Sequence, residues 1–373
     1  MKAFQIKPVI HAYDSFAEFI ADANPGPTDC IFTVRHLHAS WLAPRDLKSP
    51  VLLFDDYGTG EPTDELIDRL LADFRRLSCS RVIAIGGGSV LDIGKLLALS
   101  PIDAPVSELF FSSVQPVKDR ELILVPTTCG TGSEMTCISI AGIPSRNTKK
   151  GLANPALFAD SAALVPELLF GLPREVLITS SVDALTHALE SFVAPRAHPH
   201  SELFSLEAIR LILSAHQILL KEPADAARLI ARDLLTASNY AGIAFGNVGV
   251  GAVHALAYPL GQSCHVFHGE ACARFLSAVF ALYRRRDPQG KISRLTVALT
   301  ETLGCHDGEC PWERMDALLN ALLPLKPLRD YGMSEADIEA FADSVVREQQ
   351  RLLVNDYVDL SRDEIRDIYK QLW

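Results

Sequence analysis

The stretch from Gly249 to Glu270, GVGAVHALAYPLGQSCHVFHGE, constrains this chain more than any other. It carries His254 and His268 with His265 between them, and the small residues around them let a helix pack closely and then turn. Upstream, SVDALTHALE (181–190) sets Asp183 and His187 four residues apart, a spacing that puts both side chains on one face of a helix. One carboxylate and three imidazoles converging from two segments make a closed set of ligands for a borderline divalent ion such as zinc or ferrous iron. Taken singly, each of these residues reads more simply as a half-buried, hydrogen-bonded side chain. A fold that turns them into a metal site must pack the two segments side by side.

A chain of 373 residues exceeds one small core, which implies two domains of a hundred-odd residues or more. Apolar residues make up 48% and charged residues 22%, an ordinary balance for a globular protein. The formal charge of −11 is spread along the chain, so the surface field repels phosphate backbones and anionic lipids and argues against a nucleic-acid partner. The run Arg284-Arg285-Arg286 follows an apolar helical stretch and reads as cations at a helix C-terminus. Eight cysteines form no CxxC pair, and Cys30, Cys79, Cys137 and Cys272 lie among apolar or helix-like neighbours as small hydrophobes. Cys305 and Cys310 would pair only in an oxidising setting. Asp14 and Glu18 interrupt the one candidate signal-peptide core, so the expected compartment is the reducing cytoplasm. No run of eighteen apolar residues occurs, and no membrane span is expected.

Along the N-terminal half, 30–34, 51–54, 81–85 and 121–125 are short apolar runs that read as buried strands, with a helix at 63–77 making a parallel βαβ unit. The third run enters Gly86-Gly87-Gly88-Ser89 and then a helix at 90–99. Glycines there allow phosphates to approach the first helical N–H groups, although a tight turn with Ser89 as N-cap and Asp92 completing a capping pair fits as well. The pattern is not GxGxxG. The fourth run ends in PTTCGTGSE (126–134), whose hydroxyls and glycines suit phosphate or ribose oxygens, or simply a polar loop before an N-capped helix. Two such loops at strand ends of one parallel sheet are where nucleotides bind. The segment 144–151 reads as a hairpin turn whose Lys149 or Lys150 either neutralises an anion or is merely solvated. From about 178 onward nearly every segment has helical periodicity, at 179–193, 201–221, 226–243, 249–258, 268–284, 290–303, 311–323, 334–353 and 362–372. The expected architecture is an α/β N-terminal domain with a Rossmann-like parallel sheet (1–174) that binds a dinucleotide, followed by an all-α C-terminal domain (175–373) that carries metal and substrate.

With GGGSVLD (86–92), PTTCGTGSE (126–134), DALTHALE (183–190) and HALAYPLGQSCHVFHGE (254–270) in this order, the chain resembles the iron-containing, or group III, metal-dependent alcohol dehydrogenases, essentially from end to end. The resemblance implies the fold those enzymes share with dehydroquinate synthase. It implies Asp183, His187, His254 and His268 as ligands of one divalent ion, Fe2+ or Zn2+. It implies cofactor contacts at Gly87, Gly88, Ser89, Asp92, Thr127, Thr128 and Thr131, with Ser133 and Lys150 added. Within the family the likeness is greatest to members that interconvert 4-hydroxybutyrate and succinate semialdehyde, in GTGEPTDE (58–65), TSSVDAL (179–185), SNYAGIAFGNVGVGAVHAL (238–256) and RLLVND (351–356). A homo-oligomer, a dimer or larger, built through the N-terminal segment, is implied in the same way.

Two departures from the family pattern stand out. Where many members have a second histidine, implicated in proton relay, this chain has Tyr258, which leaves Tyr258 and His265 as candidates for that catalytic role. After the first strand, where members preferring NAD often have an acidic residue, it has Val34-Arg35, so NAD is expected and NADP stays open. The implied reaction is hydride transfer between a nicotinamide and a primary alcohol or aldehyde. The substrate carboxylate needs an anchor, for which Lys150, His265, Arg351 and Asn355 are candidates. Alternatives are another short alcohol or aldehyde, a lyase resembling dehydroquinate synthase, whose metal site normally includes a Glu, and a silent nucleotide-binding scaffold.

Overall fold

The computed structural model describes residues 4–146, 148–222 and 226–373. It has two compact units: residues 5–128 with 132–170, and residues 171–373 with Phe4 and 129–131.

The first unit is built on eight strands: β1 (Val9–Ala12), β2 (Asp29–Thr33), β3 (Val51–Leu53), β4 (Arg81–Gly86), β5 (Glu121–Pro126), β6 (Ile138–Ile143), β7 (Thr148–Ala153) and β8 (Ser161–Leu164). Six of them form one parallel sheet in the order β1-β8-β5-β4-β2-β3. Cys30, Phe32, Val82, Ala84, Leu122 and Leu124 point to one face, where α2 (Asp64–Phe74) and α3 (Gly88–Leu97) cover them. Ile31, Ile83, Ile85, Ile123 and Val125 point to the other, against Phe16 and Phe19 of α1 (Phe16–Ala23). A parallel sheet covered on both faces needs apolar residues at successive positions, which is why these strands are legible as continuous runs. The same reasoning passes over β1, whose residues are mostly exposed, and β8, whose Ser161, Ala162 and Ala163 are small. The hairpin expected at 144–151 joins β6 and β7, an antiparallel pair, but its connection is shorter: β7 begins at Thr148, so Lys149, Lys150 and Gly151 lie in the strand, and Asn147 lies outside the described residues.

The second unit is helical: α4 (Arg174–Val193), α5 (Pro199–Lys221), α6 (Ala226–Val248), α7 (Ala252–Cys264), α8 (His268–Arg286), α9 (Gly290–Leu303), α10 (Pro311–Leu322), α11 (Asp337–Glu348) and α12 (Arg362–Leu372). Its axis is α4, buried at nearly every position from Leu177 to Val193 and packed by α5, α6 and α8. A helix buried all round has no solvent face on which to place polar residues, so each polar side chain it carries must be satisfied inside. Helix α5 is long and apolar enough to cross a membrane by length and composition, with a mean hydropathy of 1.5. It carries Glu207 and Arg210, buries Ile209, Leu213 and His216, and packs against α4 and α6. Helix α7 starts later than the periodicity suggests and runs through Pro259 to Cys264, because Gly249 takes a left-handed conformation, φ 87°, ahead of it.

Candidate metal centre and cofactor cradle

Asp183 and His187 lie on one face of α4 as their spacing requires, His254 sits in the first turn of α7, and His268 opens α8. Asp183 Oδ1 is 3.6 Å from His254 Nε2, 3.6 Å from His268 Nε2 and 4.0 Å from His187 Nε2. Asp183, His187 and His254 are buried, while the His268 side chain keeps 38% of its surface exposed. Asp183 Oδ1 and His254 Nε2 have no hydrogen-bond partner among the described residues. Two orphaned polar atoms in so buried a place are costly unless something binds them, and a divalent cation satisfies both at once. These residues therefore fit a metal ion.

Two of the imidazoles, His187 and His254, have Nδ1 held by an acceptor and Nε2 toward Asp183. His187 Nδ1 lies 3.3 Å from the Gly130 carbonyl oxygen and therefore donates, leaving Nε2 as the lone pair. His254 Nδ1 is 2.6 Å from Glu190 Oε2, in the same arrangement. The His187 ring stacks between Phe245 (4.3 Å) and His254 (4.5 Å). Burial pushes the His187 imidazole down to about 3, so it is neutral and able to ligate. Burial pushes the Asp183 carboxyl up, but the His187, His268 and His254 imidazoles outweigh it and hold the carboxyl well below its usual range.

Glu190 is a positioning group that residue spacing alone did not single out. Besides His254 it accepts hydrogen bonds from Gly251 N (3.0 Å) and Val253 N (2.6 Å), so one carboxylate both caps α7 and orients a histidine of the centre. The signal was present, since Glu190 follows His187 by three residues on the same helix face. Asp356 is its buried neighbour: burial and the Glu190 charge push the Asp356 carboxyl up to about 8, so it is a neutral acid at pH 7. Gly251 makes room for the pair, since a Cβ there would lie 2.6 Å from Asp356 Oδ1.

Tyr258 stacks on His268 with ring centres 5.6 Å apart. His265 is the left-handed residue, φ 54°, that ends α7; it is exposed and makes no ring contact or hydrogen bond among the described residues. Among the candidate anchors, Asn355 is buried and its amide donates to the Val250 and Arg351 carbonyls, which commits it to the scaffold. Lys150 belongs to the α/β unit and lies 4.0 Å from the Phe111 ring centre beside Arg146, so it is half-buried on an aromatic face rather than freely solvated. The Arg351 guanidinium stands 5.9 Å from the Tyr258 ring centre, and among the described residues no carboxylate pairs with it.

In the α/β unit, α3 begins at Gly88 with Gly87 as N-cap, and no side chain occupies that cap. This corrects the reading of Ser89 as the capping residue: Ser89 lies inside the first turn, and Gly87, Gly88 and Ser89 are half-exposed around open backbone N–H groups. Thr127 N bonds the Gly86 carbonyl at 3.0 Å and Thr128 lies 3.5 Å from where a Gly87 Cβ would be, so the two strand-end loops adjoin. Asp92 and Ser133 are engaged with each other at 2.5 Å. Buried Lys95 donates to both, at 3.1 and 2.7 Å, and to Thr136 and the Ile138 carbonyl, while Ile140 N donates to Asp92 Oδ2 at 3.0 Å. That network pins β6 and the 133–135 turn to α3. Thr131 groups with the helical unit.

Residues 36–166 match the family model for iron-containing alcohol dehydrogenase, and residues 177–373 match that for the Fe-containing alcohol dehydrogenase family, C-terminal. The chain is 44% identical over 373 residues, all of both chains, to 4-hydroxybutyrate dehydrogenase of Clostridium kluyveri. It is 35% identical to long-chain-alcohol dehydrogenase 1 of Geobacillus thermodenitrificans over 321 residues, 83% of this chain and 79% of that one. Its fold matches the crystal structure of sulfoacetaldehyde reductase from Bifidobacterium kashiwanohense in complex with NAD+, with a TM-score of 0.86 at 22% identity over 100% and 98% of the two chains. The protein is a member of the iron-containing alcohol dehydrogenases.

Proposed function

We propose that this enzyme interconverts 4-hydroxybutyrate and succinate semialdehyde with NAD(H), using one divalent ion held by Asp183, His187, His254 and His268. The observation that carries the reading is the end-to-end likeness, at 44% identity, to a 4-hydroxybutyrate dehydrogenase. When bound, the ion supplies Lewis-acid polarisation of the substrate oxygen, and the nicotinamide supplies or accepts the hydride. The open N–H groups of Gly87, Gly88 and Ser89 bind the cofactor pyrophosphate, and the hydroxyls of Thr127 and Thr128 bind its polar edges. Asp92, Ser133 and Lys95 keep those loops in register.

NAD is favoured over NADP by what surrounds Arg35. The guanidinium suited to a 2′-phosphate is paired with Asp56, and its backbone N–H donates to Asp55 Oδ2 at 2.7 Å. The neighbouring acids repel a phosphate and suit a ribose hydroxyl. For proton exchange, Tyr258 Oη is favoured over the His265 ring, because Tyr258 is held against His268 whereas His265 closes a helix end in solvent. Arg351 binds the substrate carboxylate. Its guanidinium stands over the Tyr258 ring, which in turn stacks on His268, so it is a cation beside the metal centre. The enzyme works in the cytoplasm, where its eight free thiols persist. It assembles at least as a dimer through the N-terminal edge strand β1, where Val9 (58%) and Ile10 (39%), with Ile6 (43%) just before the strand, expose apolar surface.

The test is turnover of succinate semialdehyde with NADH and with NADPH, on protein stripped of metal and reloaded with Fe2+ or Zn2+. Metal-dependent oxidation of NADH well above NADPH is expected; no turnover with either ion discards this substrate. In Arg351→Ala, KM for succinate semialdehyde is expected to rise about 10- to 100-fold, the worth of a charge-assisted hydrogen bond. The same change should leave kcat/KM for uncharged butyraldehyde within about threefold. Equal losses on both aldehydes would reject Arg351 as the anchor.

A further inference from the structure

Cys272, read from sequence as a small hydrophobe, belongs to the metal centre. It lies one helical turn after His268 on α8 and is fully buried, with Sγ 3.8 Å from His268 Nε2. One donor atom from each of Asp183, His254, His268 and Cys272 lies within 4.8 Å of all the others, a set of which His187 is not a member. A tetrahedral ion with bonds of about 2.0–2.1 Å to nitrogen or oxygen and about 2.3 Å to sulfur spaces its donors roughly 3.3–3.6 Å apart. The separations here are 3.6 Å from Asp183 to each of His254 and His268 and 3.8 Å from His268 to Cys272, against 4.0 Å from Asp183 to His187. The orphaned Asp183 Oδ1 and His254 Nε2, on residues almost wholly buried, lie 3.6 Å apart.

We propose that Cys272 binds the divalent ion directly through sulfur, as a further donor beside Asp183, His187, His254 and His268. The S–H bond breaks, a metal–sulfur bond forms, the proton leaves to solvent and no electron changes hands. His187 keeps a second role as the stacked, Gly130-bonded wall of the site. A sulfur donor among nitrogen and oxygen donors shifts selectivity toward zinc and away from hard ions such as magnesium or manganese. This inference rests on the metal centre of the preceding section.

The experiment is optical and needs no turnover: metal-free full-length protein is reloaded with Co2+. A bound, low-symmetry Co2+ gives visible ligand-field bands, and a thiolate ligand adds a sulfur-to-cobalt charge-transfer band in the near ultraviolet. The wild type is expected to show both, and Cys272→Ser to lose the charge-transfer band while keeping the visible ones. Zinc-edge X-ray absorption of the wild-type protein, which needs no variant, should show one sulfur at about 2.3 Å. Visible bands without a charge-transfer band, the same charge-transfer band in Cys272→Ser, or a zinc shell of nitrogen and oxygen alone would overturn the thiolate and leave the metal centre standing. Failure of the wild type to bind Co2+ or Zn2+ would overturn both.

Discussion

Asp183→Asn is expected to yield a folded protein that retains no divalent ion at the helical centre and turns over neither alcohol nor aldehyde. The Asp183 carboxylate is the hub of the site: its Oδ1 faces the Nε2 atoms of three histidines at 3.6–4.0 Å. It brings a full negative charge to a place that burial otherwise makes hostile to a cation. The amide is the same size and keeps the packing of α4, but it loses that charge and ligates weakly. Loss of a group that merely orients a ligand costs about 10- to 100-fold in metal affinity; loss of the central ligand should exceed that and take kcat with it. Two measurements check this. Metal content after dialysis should fall to background. The melting temperature of the wild type should rise on adding Zn2+, as it must when a ligand binds the native state alone, while that of the variant stays put. A variant that still binds zinc and rises in the same way would show that the ion does not lie at Asp183.

Gly269→Ala carries the second large effect, and it acts through packing. Gly269 follows His268 at the start of α8, where α8 meets α4, and a Cβ built there would lie 1.9 Å from the Thr179 carbonyl oxygen and 2.7 Å from its carbon. Both are backbone atoms of a helix buried on all sides, so no side chain can swing aside to make room. The N-terminal turn of α8 must back away from α4 and carry His268 from Asp183. Expected results are poor folding or, in any folded fraction, weakened metal binding with kcat down by at least about a hundredfold, since misplacement by 1 Å costs that much. Circular dichroism separates the two outcomes, and metal titration of the folded fraction completes the test. A folded variant with wild-type metal affinity would refute the close approach.

Spacing made part of the centre legible. Asp183 and His187 on one helix face, and His268 at the start of a later helix, follow from period and position, whereas the period put His254 in mid-helix and the structure puts it in the first turn of α7. The identity of the inner partners did not follow. Glu190 belongs to a quoted motif, yet a Glu three residues after a His on a helix normally faces solvent, and only the all-round burial of α4 turns it inward to bond His254 and α7. Cys272 gives no local sign of its neighbours, because a buried thiol packed as a hydrophobe and one beside a metal have the same sequence surroundings. Asn355 and Arg351, four residues apart, were equal as carboxylate anchors. The structure commits Asn355 to backbone carbonyls and leaves Arg351 over Tyr258. His265 and Tyr258 were both candidates for the proton relay, and the structure places His265 in the left-handed conformation that ends α7 and Tyr258 against His268.

What this sequence determined by itself is what short-range periodicity encodes: apolar runs long enough for a sheet covered on both faces, glycines at strand ends, helical stripes through the second half, and donors at helical spacing. Those properties depend on neighbours within a few residues, and a period of 2 or 3.6 reveals them. Tertiary structure alone decided the pairings between residues far apart. Arg35 meets Asp56 because β2 and β3 lie parallel with Thr33 opposite Leu53, and His254 meets Glu190 because α7 begins where α4 ends its buried course. Each such contact depends on how whole elements pack, a sum over many buried side chains that no local pattern records.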